Sequence, residues 1–230
     1  MRLTCILALL LLHATFLSTH TMAQDEPEYR MEIGGSLGLT AYQGDFSSSL
    51  MADMQPMFGV TARYKMNPRM AWAVLLNTGQ LKGSSDGVKT WYPEIGEEPY
   101  SFSTSLTEFT VRYEYNFFPF GTGEEYLGAK PLTPFITLGA GLAFASDKES
   151  TVAFQMPIGL GLKYKLRPRL NLTAEWTMHF TGSDRLDGMK DPYGIKSDGL
   201  FKNTDSFCTM LLSLTYDIWA RCKTCHNDKE

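Results

Sequence analysis

Apolar and polar residues alternate along the chain with a period of two over long stretches. In residues 30–42, Met31, Ile33, Gly35, Leu37, Leu39 and Ala41 share one face; Glu32, Gly34, Ser36, Gly38, Thr40 and Tyr42 share the other. Successive side chains of a strand point to opposite faces, so this pattern predicts one long, half-apolar strand. Residues 106–117 show it most clearly, with Phe109, Val111, Tyr113, Tyr115 and Phe117 opposite Glu108, Thr110, Arg112, Glu114 and Asn116. Residues 155–166 and 170–180 repeat it, and weaker alternation marks 57–66, 70–81, 134–145 and 206–219. The total is about eight strands of roughly ten or more residues, the length a tilted membrane-crossing strand needs.

The connections alternate in length. Asn67-Pro68-Arg69 and Arg167-Pro168-Arg169 read as tight turns, whereas 43–56, 82–104 and 182–205 are long, polar and rich in Gly, Asp and Ser. Short turns on the periplasmic side and long loops outside orient an up-and-down barrel, and an even strand count puts both termini in the periplasm. The connection 118–133, with Pro119, Gly121, Gly123, Gly128 and Pro131, is a long one on the short-turn side. The two tight hairpins echo one another: Tyr64-Lys65-Met66-Asn67-Pro68-Arg69-Met70 matches Tyr164-Lys165-Leu166-Arg167-Pro168-Arg169-Leu170 in plan.

A soluble eight-stranded barrel also alternates, with its apolar face inward. Strand length favours the membrane, and so do the charges on the polar faces: Glu32, Arg63, Lys65, Glu108, Arg112, Glu114, Lys163, Lys165 and Glu175. Enclosed in a narrow lumen, opposite charges satisfy one another. Aromatics also recur at the short-turn strand ends (Tyr64, Tyr115, Phe117, Tyr164, Tyr216, Trp219), where an interfacial girdle belongs. Eight strands enclose only their own side chains, so a conducting pore is not expected. Glycines 34, 38, 139, 141, 159 and 161 fall on lumen faces, where they are expected to make room for charged side chains opposite.

Composition adds the compartment. Arg2 followed by an apolar run from Leu3 to Leu12, then Thr21-Met22-Ala23, reads as a signal peptide over 1–23 cleaved after Ala23. The barrel is then expected over 24–219 and a periplasmic tail over 220–230. No apolar run of helix-spanning length follows the N-terminal segment. The formal net charge of −4 gives no reason to expect a nucleic-acid-binding surface, which needs clustered positive charge. Three cysteines remain after the expected cleavage: Cys208, expected to face lipid with Met210, Leu212 and Leu214, and Cys222 and Cys225 in the tail.

Several stretches resemble a known group. Leu106-Thr107-Glu108-Phe109, the run Glu114-Tyr115-Asn116-Phe117-Phe118-Pro119-Phe120, and Tyr42-Gln43-Gly44-Asp45 all carry the likeness. Gly161-Leu162-Lys163-Tyr164-Lys165-Leu166, Leu170-Asn171-Leu172-Thr173-Ala174-Glu175-Trp176 and Asp184-Arg185-Leu186-Asp187 extend it over nearly all of the mature chain. Together they resemble the Bacteroidetes outer-membrane barrel family that includes PorG of the type IX secretion system; the Glu-Tyr-Asn-Phe-Phe-Pro stretch is the most specific part. The resemblance implies a non-enzymatic barrel tied to a periplasmic ring lipoprotein, alongside orphan members of the same family. Partner contacts are expected in the tail and around Glu124, Glu125 and Tyr126. The other expected partner is outer-membrane lipid.

Residue chemistry leaves alternatives at three places. Cys222 and Cys225 can form a disulfide, within the tail or to a partner; a zinc site lacks an obvious fourth ligand, and a redox pair lacks its βαβ setting. Glu108, Arg112 and Glu114 share one strand face and, with Glu175 and Arg63, are expected to form a lumen charge network; an ion path is the functional alternative. His179 points inward with Glu175 below it, and lipid A-modifying barrel enzymes use a histidine, an acid and a serine. Ser183 is the nearest serine and already lies in the loop. No cofactor or metal motif stands out, and an adhesin or ligand-binding barrel working through its outer loops is the main alternative to secretion.

Overall fold

A computed structural model describes residues 29–44, 53–84, 101–121, 129–146, 150–183, 186 and 204–220. Within these lie eight strands: β1 (Tyr29–Gln43), β2 (Gln55–Asn67), β3 (Met70–Ser84), β4 (Ser101–Asn116), β5 (Leu132–Ser146), β6 (Ser150–Arg167), β7 (Leu170–Thr181) and β8 (Ser206–Ala220). Each pairs antiparallel with its sequence neighbours, and β1 pairs with β8 from Tyr29–Ala220 to Gln43–Ser206, so the sheet closes into an up-and-down barrel. Closure leaves no strand edge without a partner.

The strands run further toward the long-loop end than the alternation predicted. β3 reaches Ser84, β4 begins at Ser101 and β6 at Ser150. Alternation persists there, with Leu81, Phe102 and Leu106 inward, but the outward residues Gln80, Lys82, Ser101, Ser103 and Ser105 are polar. The apolar stripe used to recognise a strand therefore stops before the strand does.

The two tight hairpins share one construction. Each carries a register shift just before its turn, at Lys65/Asn67 and Lys165/Arg167. In each, the turn arginine's carbonyl accepts a hydrogen bond from the facing strand: Arg69 from Asn116 N–H at 2.7 Å, and Arg169 from Asp217 N–H at 2.8 Å. The sequence echo is thus a repeated turn chemistry, in which the same offset lets β4 and β8 anchor to the turns.

The glycines act differently from expectation. A Cβ on Gly34 or Gly38 would overlap the backbone of β8, at Leu214–Thr215 and Met210–Leu211 respectively. One on Gly139 or Gly141 would overlap the backbone of β4. On the concave inside of so narrow a barrel the side of a neighbouring strand, rather than the far wall, is the obstacle. Gly139, whose Cβ would lie 2.8 Å from Cγ of Arg112, is also where a charged side chain fills the gap; Gly161 instead makes room for the Phe135 ring, 2.7 Å away.

Candidate functional site

The barrel is inside-out relative to a soluble protein. Ile33, Leu37, Phe58, Val60, Leu138 and Leu160 stand more than half exposed on its outside. Glu32, Arg63, Glu108, Arg112, Glu114, Lys163, Glu175 and Asp217 are buried inside. An apolar belt around a charged interior is stable only when hydrocarbon, not water, surrounds the belt.

Inside, the charges form a continuous chain that circles the lumen. Asp217 on β8 accepts hydrogen bonds from Lys165 (2.6 Å), Lys65 (2.7 Å) and Asn171 (2.9 Å). Lys65 also pairs with Glu32 at 2.9 Å, and Glu32 lies 3.5 Å from Arg63. Arg63 Nε reaches both oxygens of Glu114 at 3.0 and 3.1 Å, and Lys163 donates to the same carboxylate at 2.6 Å. The chain of pairs thus begins and ends on β6, passing through β8, β2, β1 and β4. Arg112 makes a separate pair with Glu175, Nη2 reaching its two oxygens at 2.8 and 3.1 Å. A buried ion survives only when its partners replace lost hydration, and each of these ions has such a partner.

Glu108 stands apart from that chain although it shares a strand face with Arg112 and Glu114. It accepts from Asn77 (2.7 Å) and Gln155 (3.2 Å) and lies 3.2 Å from His179 Nδ1. The other His179 nitrogen meets Thr209 Oγ1 at 3.1 Å, and the ring stacks on Phe207 with centroids 4.3 Å apart. His179 is therefore fully engaged, with Glu175 committed to Arg112. Ser183 is held in the loop, where its carbonyl accepts from Thr181 and from Asp205 N–H. Among the described residues no serine is hydrogen-bonded to His179, whose ring nitrogens meet Gln155, Glu108 and Thr209.

Both mouths are closed. At the long-loop end Tyr42, Met57, Leu81, Phe102, Leu106, Phe207 and Leu211 form an apolar layer joined by Leu186 from the β7–β8 loop. Asp205 ties it together, accepting from the Tyr42 hydroxyl and from Leu186 N–H. At the tight-turn end Phe120 is buried, hydrogen-bonds through its N–H to the Pro68 carbonyl, and places its ring 5.6 Å from Lys165 Nζ. Phe120→Ala is expected to remove about 2–3 kcal/mol of stability by lost burial. It should also expose Lys165 to a water-soluble acylating reagent, read as acylation of Lys165 by peptide mass mapping.

Against expectation, Cys208 does not meet lipid. Its residue lies on the outward face but is almost wholly covered, with the Trp176 indole donating a hydrogen bond to its thiol. Asp217, Asn77, Gln155 and Asp205 are site residues that the sequence reading missed. For Asp217 the alternation of Phe207, Thr209, Leu211, Ser213 and Thr215 was the available signal. The expected signal segment 1–23, the expected contacts at Glu124, Glu125 and Tyr126, and the tail with Cys222 and Cys225 lie outside the described residues.

The family comparison agrees with this geometry. The model of the outer membrane protein beta-barrel domain matches residues 9–204. The chain belongs to that family. It is an outer-membrane barrel, and the charged lumen is the interior of one. Among solved structures, Neisserial surface protein A aligns with TM-score 0.52 at 12% identity, over 82% of this chain and 97% of that one. OprG of Pseudomonas aeruginosa aligns at 0.48 and 12% identity, over 86% and 99%. The N-terminal barrel domain of OprF from the same organism gives 0.44 and 13%, over 83% and 98%. No curated protein matches the sequence.

Proposed function

We propose that this outer-membrane barrel is a non-enzymatic, PorG-like component of type IX secretion that anchors a periplasmic ring lipoprotein. The observation that carries the reading is the construction of the underside. The stretch Glu114–Pro119, the most specific part of the family resemblance, builds the floor of the barrel together with Phe120. Glu114 sits in the ion-pair chain, Asn116 Nδ2 donates to the Pro68 carbonyl, and Phe118 N–H donates to Thr133 Oγ1. Phe120 then closes the lumen, and a bridge between Phe120 and Lys130 fixes where the connection carrying Glu124, Glu125 and Tyr126 leaves and returns. A plugged lumen suits an anchor better than a conduit.

The test is affinity purification of the full chain beside a variant lacking 222–230 and a Glu124→Lys, Glu125→Lys, Tyr126→Ala variant. A periplasmic lipoprotein should co-purify with the intact chain and be lost from at least one variant, while heat-modifiable migration shows each barrel folded. Undiminished recovery with both variants overturns the assigned contacts. The absence of any such partner from the intact chain overturns the anchor.

The second reading is an adhesin or ligand-binding barrel. The β3–β4 hairpin favours it, because its outer third carries Gln80, Lys82, Ser101, Ser103 and Ser105 outward, polar beyond the apolar belt. Replacing 85–100 would then abolish surface binding and leave secretion intact.

A further inference from the structure

Inside the barrel every lysine and arginine has a carboxylate partner; at the tight-turn rim the opposite holds. Arg30 opens β1, Arg69 sits in the β2–β3 turn, Lys130 in the β4–β5 connection, and Arg167 and Arg169 flank the β6–β7 turn. Four of these are exposed and Arg30 is half-buried. None forms an ion pair among the described residues, and among those residues no exposed carboxylate shares their rim; Asp217 at this end is buried and taken by Lys65 and Lys165. The exposed described acid, Asp53, lies at the other end, before β2.

Three of the cations are also braced in place. Arg169 donates through Nε and Nη2 to the Asp217 carbonyl at 3.1 and 2.9 Å. Its guanidinium lies 4.5 Å from the Tyr216 ring and 5.3 Å from that of Tyr29. Arg69 Nη1 donates to the Phe117 carbonyl at 2.6 Å, and Lys130 lies 4.6 Å over Phe118. The same end carries the outward aromatics Tyr64, Phe117, Tyr164, Tyr216 and Trp219, which mark the level of the headgroups. Cations of one sign, ordered by aromatic rings at headgroup depth and without a carboxylate partner among the described residues, suit phosphate as a partner.

We propose that the periplasmic rim is a binding collar for anionic glycerophospholipid of the inner leaflet, with Arg69, Lys130, Arg167 and Arg169 contacting the headgroup phosphates. Neutralising an anionic surface contributes about 1 kcal/mol per rim cation, and zwitterionic lipid offers no net charge to collect. The collar does not depend on the secretion reading: it shares Lys130 with the underside, but its test reads lipid retention and not partner recovery.

The experiment reconstitutes the full chain in nanodiscs of phosphatidylethanolamine mixed with phosphatidylglycerol. Native mass spectrometry after partial delipidation then counts which lipid stays. Phosphatidylglycerol should be enriched on the intact chain, and salt should lower the enrichment. Arg69→Gln, Lys130→Gln, Arg167→Gln together should reduce it by about a hundredfold, given about 1 kcal/mol per charge. Arg167→Gln alone, which removes no hydrogen bond or ring contact of the fold, should reduce it by about fivefold, and serves if the triple variant does not fold. Lys82→Gln at the opposite end should leave it unchanged. Equal retention of both lipids by the intact chain overturns the collar. So does enrichment that survives Arg167→Gln undiminished, or that falls equally with Lys82→Gln.

Discussion

Replacing Gly38 with valine is expected to prevent the barrel from closing. A Cβ at this position overlaps the carbonyl of Met210 and comes within 2.9 Å of Leu211 Cα, both main-chain atoms of β8. A flexible side chain could swing aside; a strand held by ladder bonds on both edges cannot. β1 must therefore part from β8 around the Gly38–Leu211 pair, at the seam that joins the two ends of the sheet. Overpacking a soluble core costs about 1–3 kcal/mol, and here the clash falls on backbone, so about 3 kcal/mol or more is expected. The comparison is Gly35→Val. Gly35 faces outward, and its added Cβ meets only the Gly59 carbonyl at an ordinary 3.7 Å. That variant should stay within about 0.5 kcal/mol of the parent, as surface changes do. Refolding into vesicles, followed by heat-modifiable migration and a urea titration, separates the two. Equal folding by both variants would refute the account of the lumen glycines.

Removing the Glu114 carboxylate is the second large effect. Glu114 is fully buried and holds Arg63 through two contacts and Lys163 through one. In Glu114→Leu, Arg63 keeps only Glu32 at 3.5 Å, and Lys163 keeps only the face of Phe135, 4.6 Å from its Nζ. Breaking one side of a buried pair costs about 3–5 kcal/mol, because the surviving charge stays desolvated. Two cations are stranded here, so the upper half of that range applies. Adding Lys163→Met to Glu114→Leu should return part of the loss, since it removes one stranded charge and supplies a similar apolar stem. The urea midpoint of the double variant should then exceed that of Glu114→Leu alone. A double variant no better than the sum of the two single changes would show that Lys163 and Glu114 are not coupled.

The architecture was legible because a narrow membrane barrel imposes one rule on every residue. Eight strands, their pairing order and the inward direction of Glu108, Arg112, Glu114, Glu175 and Arg63 all follow from the period of two. What escaped was whatever that rule does not encode. Glu108 and Glu114 look equivalent along β4, yet one meets amides and a histidine and the other meets cations. Asn77 is Glu108's register partner on β3, and β6 and β7 bring it Gln155 and His179. β2 and β6 bring Arg63 and Lys163 to Glu114, so the difference is set by pairing register and shear rather than by spacing. Asp217 went unnoticed because β8 carries apolar residues on both faces, Phe207 and Leu211 inward and Met210 and Leu212 outward, which blurs the contrast. Leu186 is one of several apolar residues scattered through the β7–β8 loop, and nothing in their spacing marks it as the one whose N–H Asp205 holds. Cys208 has the right parity for lipid, but parity says nothing of a tryptophan on the next strand.

The β1–β8 seam has a consequence for how the molecule is made. Its partners, Tyr29 and Ala220, stand almost as far apart in the chain as the barrel allows, and no earlier pairing can substitute for theirs. Contacts of such sequence separation carry the full loop-closure entropy and form slowly. Until Ser206–Ala220 arrives, β1 and β7 each present an edge ready to pair with another chain. The residue order thus makes β8 a completion signal: a chain interrupted before it is an open sheet prone to aggregation, and the cell must keep every nascent copy from sticking to its neighbours until the fifteen residues of Ser206–Ala220 are in place.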